Sequence, residues 1–394
     1  MFDSISIGTS GLLNHAKGLR VVGNNLANVN TTGFKSSQLQ FTNLFEQGSG
    51  AGQLGSGGGN GSGAGTGLGS LGLDISFRAG LDQTTGNPLD VSINGNGFYA
   101  IKRDGQLLYT RAGDFRFDEK GFLVNSVGDR VQALDSGGQL GDITLDNLTR
   151  SLPKATATVV FNGSISNAAP TTPPVNTGVN NVMVLDANGV DHPVKLSIAN
   201  AESGSYTVTV MDAAGETVAT GTIKYAGIVP VAGSDTMTFS YAPGGADPVE
   251  VKLDFSKTSL SAVANIGVAS QDGYVGGVKT DQTIDADGTL TVHYSNGQTA
   301  KGPRIALADF QAGDALEEAG GAAFRKNAGA QVIYGYAGAD SFGQLVAGHR
   351  EGSNVDLAAE FGNLILMQRG YQAASHVVST ANEMIQQLFD MRRG

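Results

Sequence analysis

Apolar residues recur every seven positions at both ends of this chain, and this spacing constrains the fold more than any other feature. The repeat near the N terminus consists of Ile5, Leu12, Leu19 and Leu26, with Val22 and Val29 three residues after two of them. The repeat near the C terminus consists of Leu357, Leu364, Tyr371, Val378 and Ile385, with Met367, Ala374, Ala381 and Leu388 three residues after the last four. This spacing predicts two amphipathic helices that pair as a coiled-coil-like unit.

The N-terminal repeat contains four interior glycines, Gly8, Gly11, Gly18 and Gly23. Each of them disfavours a helix by about 1 kcal/mol relative to alanine, so the segment is a weak helix by itself. We therefore expect the terminal helices to be disordered in the monomer and to fold when their apolar faces meet on assembly. The alternative is an ordinary pair of amphipathic helices packed on a globular core.

The sequence between the two repeats is typical of strands and turns. Glycine occurs 58 times in 394 residues, about twice the average frequency of ~7%. From Leu81 onward, short alternating segments end at turn sequences such as Asn94-Gly95 and Asp104-Gly105, which predicts hairpins. Gly48–Gly72 is a low-complexity tract typical of a flexible connector.

These patterns predict a mixed, mainly β chain in which nested, discontinuous β domains lie between the terminal helices. We assign residues 1–34 and 354–394 to a helical polymer-core domain and residues 35–72 to a Gly-rich connector. Residues 73–152 and 271–353 then form a discontinuous β domain, and residues 153–270 form an inserted outer domain resembling a β-barrel or sandwich.

The sequence offers no catalytic, cofactor or metal site. Cysteine is absent, which excludes disulfides and thiolate chemistry. The five histidines lack metal-ligand spacing, and Asp287-Gly288 is typical of a hairpin turn rather than of a calcium loop. The Gly67–Gly72 sequence matches G-x-G-x-x-G without the strand and helix that phosphate binding requires. We therefore predict a chain that is not an enzyme.

Charge and hydropathy restrict the partners and the route of export. The formal net charge of −11 argues against nucleic acid binding, which requires a basic surface. The sequence contains no apolar run long enough to span a bilayer, and its start lacks the pattern of a cleaved secretory signal. We therefore expect no membrane insertion. If the chain is exported, we expect a route that does not use a cleaved secretory signal.

Several motifs resemble those of the bacterial flagellar rod and hook axial proteins. The most specific is NNLANVNTTGFK, which contains Asn25, Leu26, Ala27, Asn28, Thr32, Gly33, Phe34 and Lys35. The others are GNPLD from Gly86, YTRAGDF from Tyr109, SNVDL from Ser353 and QRGY from Gln368. The motifs DGTL from Asp287, YSNG from Tyr294 and IALADF from Ile305, together with the large β insertion, resemble the hook proteins in particular.

The resemblance implies a structural subunit that is exported unfolded by the flagellar type III apparatus and polymerises into a curved, flexible tube. Such a tube joins rod to filament as a universal joint outside the cell. The implied partners are further copies of the chain, the distal rod protein, the hook cap protein and the hook-filament junction protein. Two alternatives remain, a distal rod protein and, from another class, a secreted β-rich binding protein or adhesin.

The two repeats and two asparagines are the predicted assembly interface. Its residues are Ile5, Leu12, Leu19, Asn24, Leu26, Asn28, Leu357, Leu364, Met367, Tyr371, Val378, Ile385 and Leu388. Asn24 and Asn28 lie one helical turn apart, so their amides can bond to a neighbouring subunit while Thr31-Thr32-Gly33 ends the helix. Alternatively, these asparagines only fray the end of the helix.

Overall fold

The computed structural model describes residues 2–45, 65–169, 176–242, 247–310, 315–339 and 341–391. Its residues divide into two compact units. Unit 1 contains Met1–Asp146, Gln282–Thr291 and Lys301–Gly394, and unit 2 contains Asn147–Asp281 and Val292–Ala300. Both repeats form helices: α1 spans Phe2–Ala27 and α2 spans Leu357–Met391. No helix in the described ranges is both long enough and apolar enough to cross a membrane.

The strands follow one another in chain order between the two helices. Those before unit 2 are β1 Ser37–Phe45, β2 Gly65–Ile75, β3 Asp82–Thr84, β4 Val91–Asn94, β5 Phe98–Arg103, β6 Gln106–Thr110, β7 Arg116–Phe117, β8 Leu123–Val124, β9 Arg130–Leu134 and β10 Leu140–Asp142. Those that follow up to Gln271 are β11 Arg150–Ser151, β12 Thr158–Ser166, β13 Asn176–Leu185, β14 Asp191–Glu202, β15 Ser205–Met211, β16 Thr217–Ala226, β17 Val229–Pro230, β18 Thr236–Tyr241, β19 Val249–Ser261 and β20 Asn265–Gln271. The remaining ones are β21 Gly277–Ile284, β22 Thr289–Tyr294, β23 Thr299–Ile305, β24 Leu307–Phe310, β25 Leu316–Gly320, β26 Ala323–Lys326, β27 Val332–Gly335, β28 Gln344–Ala347 and β29 His349–Glu351.

The β part of unit 1 is built on the sheet β9-β5-β6-β26-β25, with β24 paired to both β5 and β27. The β5–β6 hairpin turns at Asp104 and Gly105, whose φ angles are 47° and 83°. Two successive residues with positive φ are typical of the tight turn that the Asp-Gly sequence predicts. Beneath this sheet, Phe98 and Phe324 pack with Phe77 in edge-to-face contacts, with ring centroids 5.3 to 6.1 Å apart.

Unit 2 contains a two-sheet sandwich. One sheet has the order β18-β19-β12-β20 and the other β13-β14-β15-β16-β17, and the β12–β19 pair is parallel. Buried side chains from both sheets form one core: in β15, Tyr206, Val208 and Val210 alternate with partly exposed residues. This alternation is the period-two pattern of strands with one buried face. The predicted fold class, mainly β with paired terminal helices and a sandwich-like insertion, is confirmed.

Strands β1 and β2 occupy both ends of the segment predicted as a connector, residues 35–72. β1 and β2 pair antiparallel, from Ser37 opposite Ile75 to Phe45 opposite Gly65, and residues 46–64 lie outside the described part of the chain. The Gly-rich β2 is also hydrogen-bonded to α1: Leu68 N donates to Ser10 Oγ at 3.1 Å. Such tertiary contacts override the weak strand propensity of glycine. The four-part domain division stays a prediction.

Candidate assembly site: the helix pair and its buried junction

The two terminal helices pack antiparallel through close contacts at glycines. A methyl group at Gly8 would lie 2.6 Å from Val378 Cγ2, and one at Gly18 would lie 2.7 Å from Met367 Sδ. Residue numbers therefore rise along α1 as they fall along α2. The missing side chains allow the two backbones to approach closely, so the glycines that weaken α1 by itself favour its pairing with α2.

The leucine stripe that the heptads predict lies beside these closest contacts. The predicted interface residues that are half-buried are Ile5, Leu12, Leu19, Leu26, Asn28, Leu364, Met367, Val378 and Ile385. The exposed ones are Asn24, Leu357, Tyr371 and Leu388. The heptad analysis missed the contact role of Gly8, Gly11 and Gly18, because a pattern of apolar residues gives glycine no weight. Their spacing of three and seven residues is the signal that was available.

An apolar strip on α2 faces away from α1. Phe361 and Ile365 are each 55% exposed and Leu366 is 66% exposed. The helix is also the longer one, with 35 residues against 26 in α1. Because Gly8 meets Val378 and α1 begins six residues before Gly8, the last turns of α2 extend past α1. The exposed apolar residues of these turns are Leu388, Phe389 and Met391.

Asn25 of the signature motif joins three elements from a buried position. Its Nδ2 donates to the carbonyl oxygen of Ser37 at 2.8 Å and to Glu360 Oε1 at 2.9 Å, and its Oδ1 accepts from Ser37 N at 3.0 Å. One side chain therefore connects α1 with the start of β1 and the first turn of α2. A residue with both a donor and an acceptor is needed here, which asparagine provides.

The neighbouring asparagines bond within the chain. Asn28 Nδ2 donates to the carbonyl oxygen of Asn24 at 2.9 Å and to Asn24 Oδ1 at 3.0 Å, and Asn28 Oδ1 accepts from Thr31 Oγ1 at 3.0 Å. These bonds satisfy groups at the end of α1, where backbone carbonyls lack helical partners. A contact of Asn24 and Asn28 with a second subunit stays a prediction. Of the other signature residues, Thr32 is half-buried and Ala27 is exposed.

Lys35, the last residue of the signature, belongs to a buried ion cluster. Its Nζ lies 2.5 Å from Glu351 Oε1 and donates to the carbonyl oxygen of Arg78 at 2.7 Å. Glu351 Oε2 lies 3.4 Å from Arg111 Nη1, and Arg111 Nη2 donates to the carbonyl oxygen of Gly95 at 2.8 Å. The cluster thus connects the segment after α1 with the strand before α2 and with the β5–β6 region.

Burial lowers the pKa of Lys35 below its ordinary value of 10.5, although the neighbouring Glu351 carboxylate opposes this shift. Removing one partner of such a cluster leaves a buried charge without compensation, which is strongly destabilising. The complete cluster therefore favours this one arrangement of the junction, because any arrangement that separates the charged partners leaves a buried charge unpaired.

Gly33, Phe34 and the segment before α2 complete the junction. Gly33 has a φ of 68°, its N donates to the carbonyl oxygen of Glu351 at 2.8 Å, and a methyl group there would overlap the backbone of Ala112. Phe34 is buried. Asn354 Oδ1 accepts from Ser36 N at 2.7 Å. The signature motif is thus the place where the helix pair is fixed to the β part of unit 1.

The chemistry of this site is structural. Most of its polar groups bond to one another, whereas Glu360 Oε2 and Arg111 Nε have no hydrogen-bond partner among the described residues. Within the described ranges no three His, Cys, Asp or Glu side chains are placed to hold a metal ion. Sequence reasoning found Asn25, Gly33 and Lys35 through the motif. It missed the roles of Glu351 and Glu360, because each meets its partner across more than 300 residues of chain.

Curated relatives match along the full length of the chain. The flagellar hook protein FlgE of Salmonella typhimurium is 30% identical, with 99% of this chain and 100% of the relative covered. The flagellar hook protein FlgE of Treponema pallidum is also 30% identical, with both chains covered completely.

This chain belongs to the flagellar hook protein family.

Three family models match separate parts of this hook protein family member. They are the flagella basal body rod protein model over residues 5–35, the flagellar hook protein FlgE/F/G D1 domain over residues 92–166 and the flagellar basal body rod FlgEFG protein C-terminal model over residues 346–391. The crystal structure of Helicobacter pylori flagellar hook protein FlgE2 is similar in fold, with a TM-score of 0.51 and 13% identity over 67% of this chain and 98% of that one.

Membership in the hook protein family confirms the prediction of a structural subunit of the flagellar hook. The distal rod and adhesin alternatives are not favoured. The family is a structural one and not an enzyme family, and it belongs to the flagellar hook and basal body.

Proposed function

We propose that this chain polymerises into a curved tube whose core is the α1–α2 pair, and that the exposed apolar strip of α2 packs against a second copy. The observation that carries this proposal is the strip itself. Phe361, Ile365 and Leu366 lie on one helix with more than half of each side chain exposed. Burying such a side chain contributes about 1.5 to 3 kcal/mol, so a repeated contact of this kind stabilises a polymer.

The buried junction has a mechanical role in this proposal. A tube that works as a universal joint must transmit torque from its core to the surrounding β structure. The Lys35–Glu351 pair and the Asn25 bonds fix the helix pair to the β part of unit 1. Packed interiors do not deform continuously, so we place the bending elsewhere, at the segments near Pro153 and Ser270 that flank the predicted outer domain.

We further propose that the terminal helices fold on assembly. The glycines of α1 disfavour a free helix, and close contacts of Gly8, Gly11 and Gly18 with α2 offset this cost in the folded pair. Circular dichroism of the soluble monomer is expected to show less helix than the assembled tube contains. Equal helix content in the two states would contradict coupled folding.

The remaining partners follow from the resemblance to axial proteins. They are the flagellar type III export apparatus, the distal rod protein, the hook cap protein and the hook-filament junction protein. Export without a cleaved signal would place the polymer outside the cell.

Substitutions in the apolar strip test the assembly proposal. The double variant Phe361→Ser with Ile365→Ser is expected to raise the critical concentration for tube formation at least about tenfold, because two apolar side chains are lost from each contact. The matched control is Val127→Ser with Ile333→Ser, which removes two exposed apolar side chains from the β part of unit 1. Sedimentation of polymer at a series of concentrations measures both. Equal critical concentrations for the wild type and the strip variant would contradict the proposal.

A further inference from the structure

A small cavity lies where α1, β1 and α2 meet. Its volume is about 130 Å³. The residues that line it include Gly18, Val22, Leu39, Glu360 and Asn363. Liquid water occupies about 30 Å³ per molecule, so the cavity has room for a polar group larger than one water.

Glu360 brings an unsatisfied charge to the wall of this cavity. The residue is 5% exposed, and its Oε1 accepts the hydrogen bond from Asn25. Its Oε2 is buried and has no hydrogen-bond partner among the described residues. Buried carboxylates are almost always paired, and one left unpaired strongly destabilises the fold. A buried group of this kind indicates that its partner is supplied from elsewhere.

The chain itself carries cations suited to this carboxylate. Arg20 on α1 and Arg369 on α2 are exposed, and neither forms an ion pair or hydrogen bond with the other described residues. Arg369 is nine residues from Glu360 on the same helix, about 14 Å along its axis, so it cannot reach the Glu360 of its own chain. A guanidinium from another copy provides several donors in one planar group.

We propose that this cavity receives an arginine side chain from a second copy of the chain, whose guanidinium donates to Glu360 Oε2. The inference rests on the proposed function, since it requires copies to assemble through their helices. It adds a charged contact to the apolar contacts of the α2 strip. The pairing would occur only in the polymer, so it would favour assembly without stabilising the monomer.

A double-mutant cycle tests the inference. Glu360→Gln keeps an acceptor for Asn25 and nearly the same volume but removes the charge. It is expected to raise the critical concentration about tenfold, and combining it with Arg20→Gln or Arg369→Gln is expected to add no further rise for the arginine that pairs. Glu383→Gln, an exposed acid on the same helix, is the control and should leave the critical concentration unchanged. The melting temperature of the Glu360→Gln monomer should not fall.

The outcomes separate this inference from the proposed function. Tubes that form equally well from Glu360→Gln and wild type would overturn the inference alone and indicate a water-filled cavity. Additive effects with both arginine substitutions would also overturn it. A wild-type chain that forms no tube under any of the conditions would instead contradict the proposed function, and the inference with it.

Discussion

Lys35 Nζ lies 2.5 Å from Glu351 Oε1, and the two side chains are 0% and 5% exposed. The pair joins the segment that follows the first helix to the strand that precedes the second. Because the two residues are 316 positions apart, the contact closes almost the whole chain into one loop at the base of the helix pair.

Replacing Lys35 with methionine should destabilise unit 1 by about 3 to 5 kcal/mol, because Glu351 then keeps a buried charge without its closest partner. Urea unfolding of this variant, of the control variant named next and of the wild type measures the free energy of unfolding. The control is Lys154→Met, which breaks the half-exposed pair with Asp272 and should change stability by about 0 to 1 kcal/mol. If Lys35→Met lowers the free energy of unfolding no more than this control does, the cluster is not needed for the fold.

Gly33→Ala should destabilise unit 1 more than Gly105→Ala does. Both glycines have positive φ, which disfavours alanine by roughly 1 to 2 kcal/mol. A methyl group at Gly33 would also overlap the backbone of Ala112, whereas nothing lies within 4 Å of one at Gly105. Thermal unfolding compares the two variants directly. Equal shifts in melting temperature would mean that the close approach at Gly33 relaxes at no energetic cost.

Gly8→Ala and Gly23→Ala should act in opposite directions on the helix pair. Alanine favours the helix by about 1 kcal/mol at either position. At Gly8 the new methyl group would lie 2.6 Å from Val378 Cγ2, but at Gly23 it meets nothing within 4 Å. We expect Gly23→Ala to lower the critical concentration for assembly and Gly8→Ala to raise it. Improved assembly in both variants would show that the helices do not pack as described.

Asp129 should contribute stability that is lost in acid. Burial tends to raise the pKa of this carboxyl, but hydrogen bonds from Arg103 and Asn125 outweigh it and lower the pKa below the ordinary 3.8. The folded chain therefore binds fewer protons there than the unfolded chain does, so the contribution is full above about pH 3.8 and decreases as pH falls through the folded value.

The Asp129→Asn variant tests this linkage. Its free energy of unfolding at pH 7 should be about 1.5 to 3 kcal/mol lower than that of the wild type, because its hydrogen bonds no longer involve a charged acceptor. Below pH 4 the stability of the variant should also depend less on pH than the stability of the wild type does. Glu119→Gln, an exposed acid in the same unit, is the control. If the free energy of unfolding falls equally steeply below pH 4 in Asp129→Asn and in the wild type, the assignment is contradicted.

Sequence periodicity predicted the elements of this fold better than their contacts. Both helices follow from local spacing, and the β5–β6 hairpin turns at the Asp104-Gly105 sequence that predicted it. The close approach of Gly8 to Val378 does not follow from the heptads, because the contact depends on an absent side chain. β2 was missed because its glycines form a strand only against β1 and α1.

The candidate site could be predicted only in part for a similar reason. The signature motif identified Asn25 and Lys35, but nothing local indicates that Glu360 and Glu351 are their partners. Pairings between residues so far apart in sequence depend on the folded arrangement, and a single sequence carries no local pattern for them.

The most direct test of the helix pair as the core of the polymer is electron microscopy of the purified chain in a salting-out buffer, beside the same chain lacking residues 1–30. We predict curved tubes from the full chain and none from the shortened one, because the shortened chain has lost α1 and the Asn25 bonds to Ser37 and Glu360. Curved tubes of similar length and number from both proteins would contradict a core built on the helix pair.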